Sequence, residues 1–277
     1  MAQRNDIPHL IELLDDESPS VREHVLRELM SFGPALESEV RALDSCLTPE
    51  QRRRATRLLS ARRHAESRWV AWRTWPQLPD PYQQIEQALS LLAEFQYGWT
   101  PPVRLRELLD ALADEYLRTC RSRDGISLSR FLFVTKRLRG NQDDYYNPLN
   151  SNLVHVIQQG AGLPLSLTCV FMLVGHRAGV RVEGCNTPGH FLARVPTSGG
   201  ALFFDCYNGG RILTQREVGL LRGKLPSHRW HVMTEAATPG VIIQRVLHNL
   251  IHAYELEGNT AFCELMRDLL GQCPIKR

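Results

Sequence analysis

The chain has 277 residues and is 43% hydrophobic, 23% charged and 8% aromatic, which excludes a mostly disordered protein and predicts one large domain or two smaller ones. Its net charge of +3 is too small to indicate a polyanionic partner. Seven scattered cysteines without a CxxC pair, no visible signal peptide and no apolar stretch of about 18 residues predict a soluble, cytoplasmic protein without a membrane partner.

The N-terminal residues predict two short amphipathic helices. Apolar residues recur at helical spacing from Ile7, and the run DDESP at residues 15–19 breaks the pattern. Ser18 is a candidate cap for the second helix, with Pro19 at its first position and Gly33 as its end. Residues 7–33 resemble a single HEAT-type repeat, and we expect residues 1–78 to form a helical, HEAT-like arm.

A longer helix is predicted to start at Thr48, where Pro49 and Gln51 complete a capping box. Its residues 52–73 include eight arginines, interleaved with Trp69 and Trp72 and followed by Trp75. One interpretation is a face that follows a phosphate backbone. The other is a solvated arginine face whose tryptophans pack on the next layer. No base-reading motif accompanies the charge, so we do not expect nucleic acid as a partner.

After a proline-rich joint at residues 76–81, the periodicity predicts several more helices. Asp80 would cap the first, the second follows Pro101 and Pro102 to Thr119, and the next two span residues 127–138 and 151–159. Residues 164–176 are apolar nearly all round, which is typical of a helix at the centre of a core.

Beyond Gly179 the apolar period changes to two. We predict strands at residues 180–183, 190–195 and 201–206, the last two joined as a hairpin. Helices are predicted near residues 215–222, 241–256 and 260–269. The fold class is therefore α+β, mostly helical, with a small antiparallel sheet packed on a central buried helix.

The predicted hairpin brings a candidate pair together. If the turn centres on Thr197 and Ser198, His190 faces Asp205 across the strands, close enough for a hydrogen bond between imidazole and carboxylate. Such a bond leaves the other ring nitrogen as a base or a ligand. The alternative is a satisfied core histidine and an aspartate that only initiates the following turn.

Besides the pair Glu183-Gly184, four longer segments carry a family resemblance: residues 140–151 (GNQDDYYNPLNS), 162–167 (GLPLSL), 188–194 (PGHFLAR) and 204–210 (FDCYNGG). In this order they resemble the SirB-type branch of the transglutaminase-like (papain-like) superfamily, from about residue 80 to residue 269. The resemblance implies a transglutaminase-like domain over residues 79–235. Residues 236–277, with VLHNL at 246–250 and Tyr254, resemble a tetratricopeptide-like tail.

A transglutaminase-type enzyme needs a cysteine at the start of its central helix, where the helix dipole stabilises the thiolate. Pro164 or Ser166 occupies that place, and Cys169 lies about one turn further into the helix. The resemblance therefore favours a pseudoenzyme that binds or regulates a protein or peptide, without a cofactor or metal. Its cleft would comprise the following residues: Ser166, His190 and Asp205 as the catalytic or vestigial set, with Asn147, Asn150, Pro164, Asn208, Gly209 and Gly210 as binding residues.

Three other interpretations remain open at this stage. The first is an amide or peptide hydrolase or acyltransferase with Ser166 as nucleophile, His190 as base and Asp205 orienting the imidazole. The second is a displaced thiol nucleophile at Cys185, on a flexible turn. The third is a metal held by Cys185, His190 and Cys206, for which no fourth ligand is evident.

Overall fold

The computed structural model describes residues 4–97, 103–187, 190–224 and 235–273. Pro101, Pro102, Pro188 and Gly189, which the sequence analysis used, lie outside the described residues. The chain divides into two units, Met1–Val70 and Ala71–Arg277. The three-part division with boundaries after residues 78 and 235 stays a prediction.

The first unit is a stack of short helices that bury their apolar stripes against one another. α1 spans Ile7–Glu12, α2 Pro19–Ser31 and α3 Leu36–Ala42, and the unit also contains most of α4, Pro49–Thr74. The capping box at Thr48 is confirmed, because Thr48 Oγ1 accepts from the Gln51 N–H at 3.2 Å and Gln51 Oε1 accepts from the Thr48 N–H at 2.9 Å. The core of the unit includes Ile7, Ile11, Val25, Leu29, Leu36, Val40, Leu47, Ala55, Leu58 and Leu59.

Arginines in the first half of α4 bind groups of their own unit. Arg54 lies 2.9 Å from Asp15 and 3.2 Å from Glu50, and Arg52 donates to the carbonyl of Leu47. The side chains at residues 61–65 lie outside the description. These contacts favour a solvated, ion-paired face over one that follows phosphates, while the absence of a nucleic-acid partner stays a prediction.

The second unit contains the remaining helices. They are α5 Pro81–Tyr97, α6 Leu105–Thr119, α7 Gly125–Ser129 followed by a π-helix Arg130–Thr135, α8 Leu153–Gln159, α9 Pro164–Arg177, α10 Gln215–Gly223, α11 Pro239–Leu256 and α12 Thr260–Gly271. Every residue of α9 from Leu165 to Gly175 is buried, because helices α5, α6 and α8 and strand β4 (Leu192–Thr197) all pack against it. The apolar segment is thus the central helix, as its sequence predicted.

Two tryptophans, Trp72 in the last turn of α4 and Trp75 just after that helix, belong to the core of this second unit. Trp72 is fully buried, and its indole N–H donates to the Leu269 carbonyl in α12 at 3.0 Å. Trp75 is 1% exposed, and its ring centroid lies 6.1 Å from that of Trp72. Both rings are therefore packed, as the second interpretation of this helix predicted.

A four-stranded antiparallel sheet lies on α9 in the order β3-β4-β5-β6, where β3 is Glu183–Cys185, β5 Gly200–Asp205 and β6 Arg211–Ile212. A separate parallel pair joins β1, Arg139–Gly140, to β2, Ala161–Gly162. The α+β class, mostly helical with small sheets, is confirmed. The strand predicted at residues 180–183 was wrong, since β3 begins only at Glu183.

The predicted register of the hairpin was also wrong. Thr197 pairs with Gly200 and Ala193 with Phe204, so the turn consists of Ser198 and Gly199. Thr197 stays in the strand, and the pairing shifts by two residues relative to the expectation. His190 therefore lies ahead of β4 instead of opposite Asp205, and Asp205 pairs with Arg211 in β6.

No helix among the described residues is both long enough and apolar enough to span a bilayer.

Candidate functional site

Ser166 lies in the first turn of α9 and is 2% exposed. Its hydroxyl accepts from the Leu163 N–H at 2.9 Å and donates to the Asn150 carbonyl at 2.7 Å. Leu163 is the N-cap residue, but its side chain has no acceptor for the N–H groups of the first turn. The side chain of Ser166, three residues later, instead accepts from the backbone N–H of Leu163, which is one half of a capping box. The hydroxyl thus joins the helix start to the preceding loop, and Pro164 forms the first residue of that helix.

The loop at residues 140–152 is held by its own asparagines. Asn150 is 1% exposed, donates to the carbonyls of Asp144 and Tyr145, and accepts from the Asn141 amide at 2.9 Å. Asn147 accepts from the Leu149 N–H and donates to the Asp144 carboxylate, both at 2.9 Å. The amide groups predicted to bind a ligand are therefore engaged within the loop.

Asp205 ends β5 and organises the turn that follows it. Asn208 donates to its carboxylate from the backbone at 3.2 Å and from the side chain at 2.7 Å, and an Arg211 nitrogen lies 3.7 Å away. Gly209 and Gly210 complete the turn with φ values of +73° and +67°. The Gly210 carbonyl accepts from the Ser129 hydroxyl at 2.8 Å, which fixes the turn to α7.

His190 is exposed, and its ring makes no hydrogen bond with any described residue. Its backbone is positioned by two residues. The Thr187 hydroxyl donates to its carbonyl at 2.7 Å, and Arg245 in α11 donates to Asn186 Oδ1 and to the Thr187 carbonyl. Sequence reasoning missed Arg245 because 55 residues separate it from His190, and no motif marks a contact of that range.

His190 and Asp205 line one groove of about 190 Å³ between the sheet and α10. Ser166 is not among the described residues that line it. The structure thus brings together two members of the predicted set and places the third in a helix cap. The other lining residues are Leu192, Arg211, Leu213, Glu217, Leu220, Leu221 and Lys224.

Ionised side chains of both signs lie along this groove. Arg211 lies 2.6 Å from Glu217, and the Thr214 N–H together with Arg211 lowers the pKa of Glu217 to about 2. Glu217 is consequently a carboxylate at any physiological pH. Its role escaped the sequence analysis, although Thr214 and Glu217 form a capping box that is visible in the sequence.

The core cysteines are unsuited to nucleophilic chemistry. Cys169, Cys185 and Cys206 are fully buried, and burial raises the pKa of each thiol to about 12. Cys185 belongs to β3 and not to a flexible turn, contrary to the expectation. Among the described residues, no cluster of His, Cys, Asp and Glu is arranged to hold a metal ion.

A helix-cored unit with a small antiparallel sheet, with Asp205 at the end of one strand and His190 just before another, is the architecture expected of a transglutaminase-like domain. Comparison of sequences agrees with the fold: the model of the transglutaminase-like superfamily matches residues 104–248, and the chain belongs to that superfamily. No solved structure matches the chain.

Its relatives include UPF0162 proteins of two bacteria. The protein of Xylella fastidiosa is 32% identical over 200 residues, which cover 66% of this chain and 69% of the relative. That of Pseudomonas aeruginosa is 32% identical over 194 residues, which cover 65% and 67%. F-box only protein 21 of Mus musculus is 31% identical over 157 residues, which cover 52% of this chain but only 24% of that protein.

If Ser166 serves as a cap, Ser166→Ala lowers the free energy of unfolding by about 1–3 kcal/mol, because the buried Leu163 N–H loses its acceptor. Urea denaturation measures the effect. Ser198→Ala in the exposed hairpin turn is the control and should change stability by less than about 0.5 kcal/mol. Equal stability of the two variants would contradict the capping role.

The two turn glycines should respond differently to alanine. Both have left-handed φ values, which cost an alanine about 1 kcal/mol. A Cβ on Gly209 meets no heavy atom within 4 Å among the described residues, whereas a Cβ on Gly210 would overlap the Phe133 ring and lie 2.5 Å from Ser129 Oγ. We expect Gly210→Ala to destabilise the protein by about 1–3 kcal/mol more than Gly209→Ala in thermal unfolding. Similar losses would contradict this packing.

Iodoacetamide at pH 8 should spare Cys169, Cys185 and Cys206 in the folded protein and modify the exposed Cys46. A thiol with a pKa of about 12 is ionised in only about one molecule in 10⁴ at this pH. Mass spectrometry of the digested protein locates the label, and addition of urea should make all four react. Rapid modification of Cys185 before unfolding would contradict both its burial and its raised pKa.

Proposed function

We propose that the transglutaminase-like unit binds a protein or peptide segment in the groove of His190 and Asp205 without cleaving it. The observation that carries the proposal is the engagement of Ser166. Family resemblance assigns the nucleophile to the start of the central helix, and there the only hydroxyl of the first turn is tied to the Leu163 N–H and the Asn150 carbonyl.

The composition of the groove suits a peptide. Leu192, Leu213, Leu220 and Leu221 line it, and Leu220 is 60% exposed. Charged residues line it as well, among them Glu217 and Lys224. Apolar and polar side chains occur together in protein-binding surfaces. The ring nitrogens of His190, which bond to no described residue, would bind a backbone amide of the occupant.

The contacts of Ser166 weigh against a Ser166–His190–Asp205 hydrolase. A general base must reach the hydroxyl that it activates, whereas this hydroxyl already donates to a backbone carbonyl. Pro164 at the helix start also removes one N–H from any oxyanion hole built there. The Asp205 carboxylate accepts a hydrogen bond from Asn208 and lies beside Arg211. It therefore stabilises the turn after β5 and does not orient the His190 imidazole.

Further assignments belong to the same proposal. The similarity to UPF0162 proteins and the four motifs support placement in the SirB-type branch. The helix pair α1–α2 supports a HEAT-like arm over residues 1–78, and the closely packed pair α11–α12 supports a tetratricopeptide-like tail over residues 236–277. Repeats of both kinds present concave surfaces to proteins. We place this binding module in the cytoplasm.

Selection of a phage-displayed peptide library on the immobilised protein tests the binding. Enriched peptides should bind the wild type and lose at least about tenfold in affinity for Leu220→Asp, since a carboxylate would enter the apolar part of the groove. Leu256→Asp is the matched control, because Leu256 is 58% exposed and lies outside the groove. Equal weakening by both variants would contradict the proposed location.

A fluorophosphonate probe tests the absence of turnover on the same protein preparation. We expect no selective labelling of Ser166 by mass spectrometry, with or without an enriched peptide. Labelling of Ser166 that disappears in His190→Ala would overturn the non-catalytic function and establish the hydrolase.

A further inference from the structure

Three arginines of the second unit are half-buried among the described residues, and two of them lie beside carboxylates. Arg177 lies 2.8 Å from Glu86, and Arg194 lies 3.5 Å from Glu183. Arg245 in α11 is the third, and it forms no ion pair with any described carboxylate. A partly buried cation without a counter-charge costs free energy, so an anion bound at Arg245 would stabilise the folded protein.

The hydrogen bonds of Arg245 to described residues all use one nitrogen of the guanidinium and all go to neutral oxygens. Nη1 donates to Asn186 Oδ1, and it lies 3.2 Å from the Thr187 carbonyl oxygen and 3.4 Å from that of His190. The guanidinium carbon lies 5.5 Å from the centre of the Phe191 ring. These contacts hold the guanidinium in place and leave its positive charge uncompensated.

The other two nitrogens of this guanidinium are accessible. A guanidinium carries five N–H groups, of which two belong to Nη1, one to Nε and two to Nη2. The described residues provide no acceptor for Nε or Nη2, and neither nitrogen is shut off from solvent. Nε and Nη2 form an edge of the guanidinium that can bind one carboxylate through two parallel hydrogen bonds.

The electrostatic surroundings of Arg245 agree with the absence of a carboxylate near it. Burial lowers the pKa of the guanidinium below its ordinary value, and among the described residues the phenol of Tyr145 is the titratable group that acts in the opposite direction. Arginine nevertheless stays protonated at any physiological pH. The accessible edge is therefore a permanent positive charge, with Tyr145 as its neighbour.

Tyr145 belongs to a cluster of three tyrosine rings on and beside the loop at residues 140–152. Its ring centroid lies 5.2 Å from that of Tyr146 and 6.0 Å from that of Tyr207, both in edge-to-face contacts. Tyr145 and Tyr146 are 42% and 54% exposed. Asn150 donates to the Tyr145 carbonyl at 3.1 Å, which fixes the loop that presents these rings. Exposed rings on a fixed backbone offer apolar contact area at a low entropic cost.

We propose that Arg245 and Tyr145 form a binding site for an organic carboxylate, either a free acid or the end of a peptide. The carboxylate accepts from Nε and Nη2 of Arg245, and the organic body lies against the rings of Tyr145 and Tyr146. None of the groups in contact with Arg245 is a second cation, and one guanidinium matches a singly charged acid better than a phosphate.

This site adjoins the groove of His190 without sharing its lining. His190 contributes its ring to the groove and its carbonyl to Arg245, whereas Arg245 and Tyr145 are not among the described residues that line the groove. Binding of a carboxylate to Arg245 does not require an occupant of the groove, so the two proposals can fail separately.

The Nε–H signals of the full chain labelled with ¹⁵N-arginine report this contact directly. Titration with 3-phenylpropanoate, a free acid, and with N-acetyl-glycyl-phenylalanine, a peptide end, should shift the Arg245 signal, which Arg245→Lys identifies by its disappearance. A shift with one of the two acids supports the site and identifies the source of the carboxylate. An unmoved signal in the wild type at millimolar concentrations of both acids would overturn the site.

Matched ligands test the carboxylate itself. The corresponding amides, 3-phenylpropanamide and N-acetyl-glycyl-phenylalaninamide, keep the organic body and lack the charge. Isothermal titration calorimetry should give at least about tenfold weaker binding for each amide than for its acid. Equal affinity of an acid and its amide would overturn the carboxylate as the recognised group.

Two variants test the guanidinium edge. Arg245→Lys keeps the positive charge and removes the paired donors, so the acids should bind at least about tenfold more weakly. Arg267→Lys is the matched control, because Arg267 is exposed on α12 and pairs with Glu255, and it should bind the acids like the wild type. Equal affinities of the two variants would contradict the role of Arg245. The titration of the wild type decides the site even where Arg245→Lys fails to fold.

Discussion

The hydroxyl of Ser166 joins two parts of the transglutaminase-like unit, the start of the central helix and the polar loop before it. It closes the first turn of α9 through Leu163, and it fixes the polar loop through the Asn150 carbonyl. That loop reaches the sheet, because the Gly140 N–H donates to the Tyr207 carbonyl and the Tyr207 hydroxyl donates to the Asn141 carbonyl at 2.9 Å. The central helix, the loop and the turn after β5 are thus connected in series, the first step by Ser166 and the second by Tyr207. A reacting nucleophile must exchange its proton, whereas this hydroxyl is held by both of its neighbours.

Other polar groups of the site are likewise used in hydrogen bonds that hold the structure together, and the ring of His190 is the exception among the predicted set. Asp205 accepts a hydrogen bond from Asn208 within the turn after β5, and the asparagines of the polar loop bond to groups of that same loop. His190 differs, since Arg245 and Thr187 fix its backbone while its ring is exposed. Beside it, Leu220 presents an apolar side chain to solvent, whereas Glu217 is engaged by Arg211 and by the start of α10. The His190 ring and Leu220 are therefore exposed groups of this groove with which the proposed peptide would make contact.

Much of this architecture could be predicted from local sequence. The apolar segment at residues 164–176 predicted α9, and the proline and cap residues at Thr48 and Asp80 predicted two helix starts, because these signals act within one turn of the chain. β1, β2 and β6 escaped prediction since two residues each show no periodicity. The predicted hairpin register was wrong because the residues at 196–200 are compatible both with a turn at Ser198–Gly199 and with a turn centred one residue earlier. The contact of Arg245 with His190 joins residues 55 positions apart, and the bond from Ser166 to the Asn150 carbonyl joins residues 16 positions apart. Contacts between residues so distant in the sequence become visible only in the folded structure.

Trp72, in the last turn of α4, and Trp75, just after that helix, show how little a sequence pattern says about the contacts of a buried ring. Both are equally buried, and in the sequence they are alike, each three residues from another tryptophan. Trp72 finds an acceptor at the end of α12, which explains its burial completely. Trp75 packs against Trp72, with the ring centroids 6.1 Å apart, and its buried indole N–H has no hydrogen-bond partner among the described residues. A buried donor without an acceptor costs free energy, so two tryptophans with the same spacing in the sequence differ in what they contribute to stability, and only the fold distinguishes them.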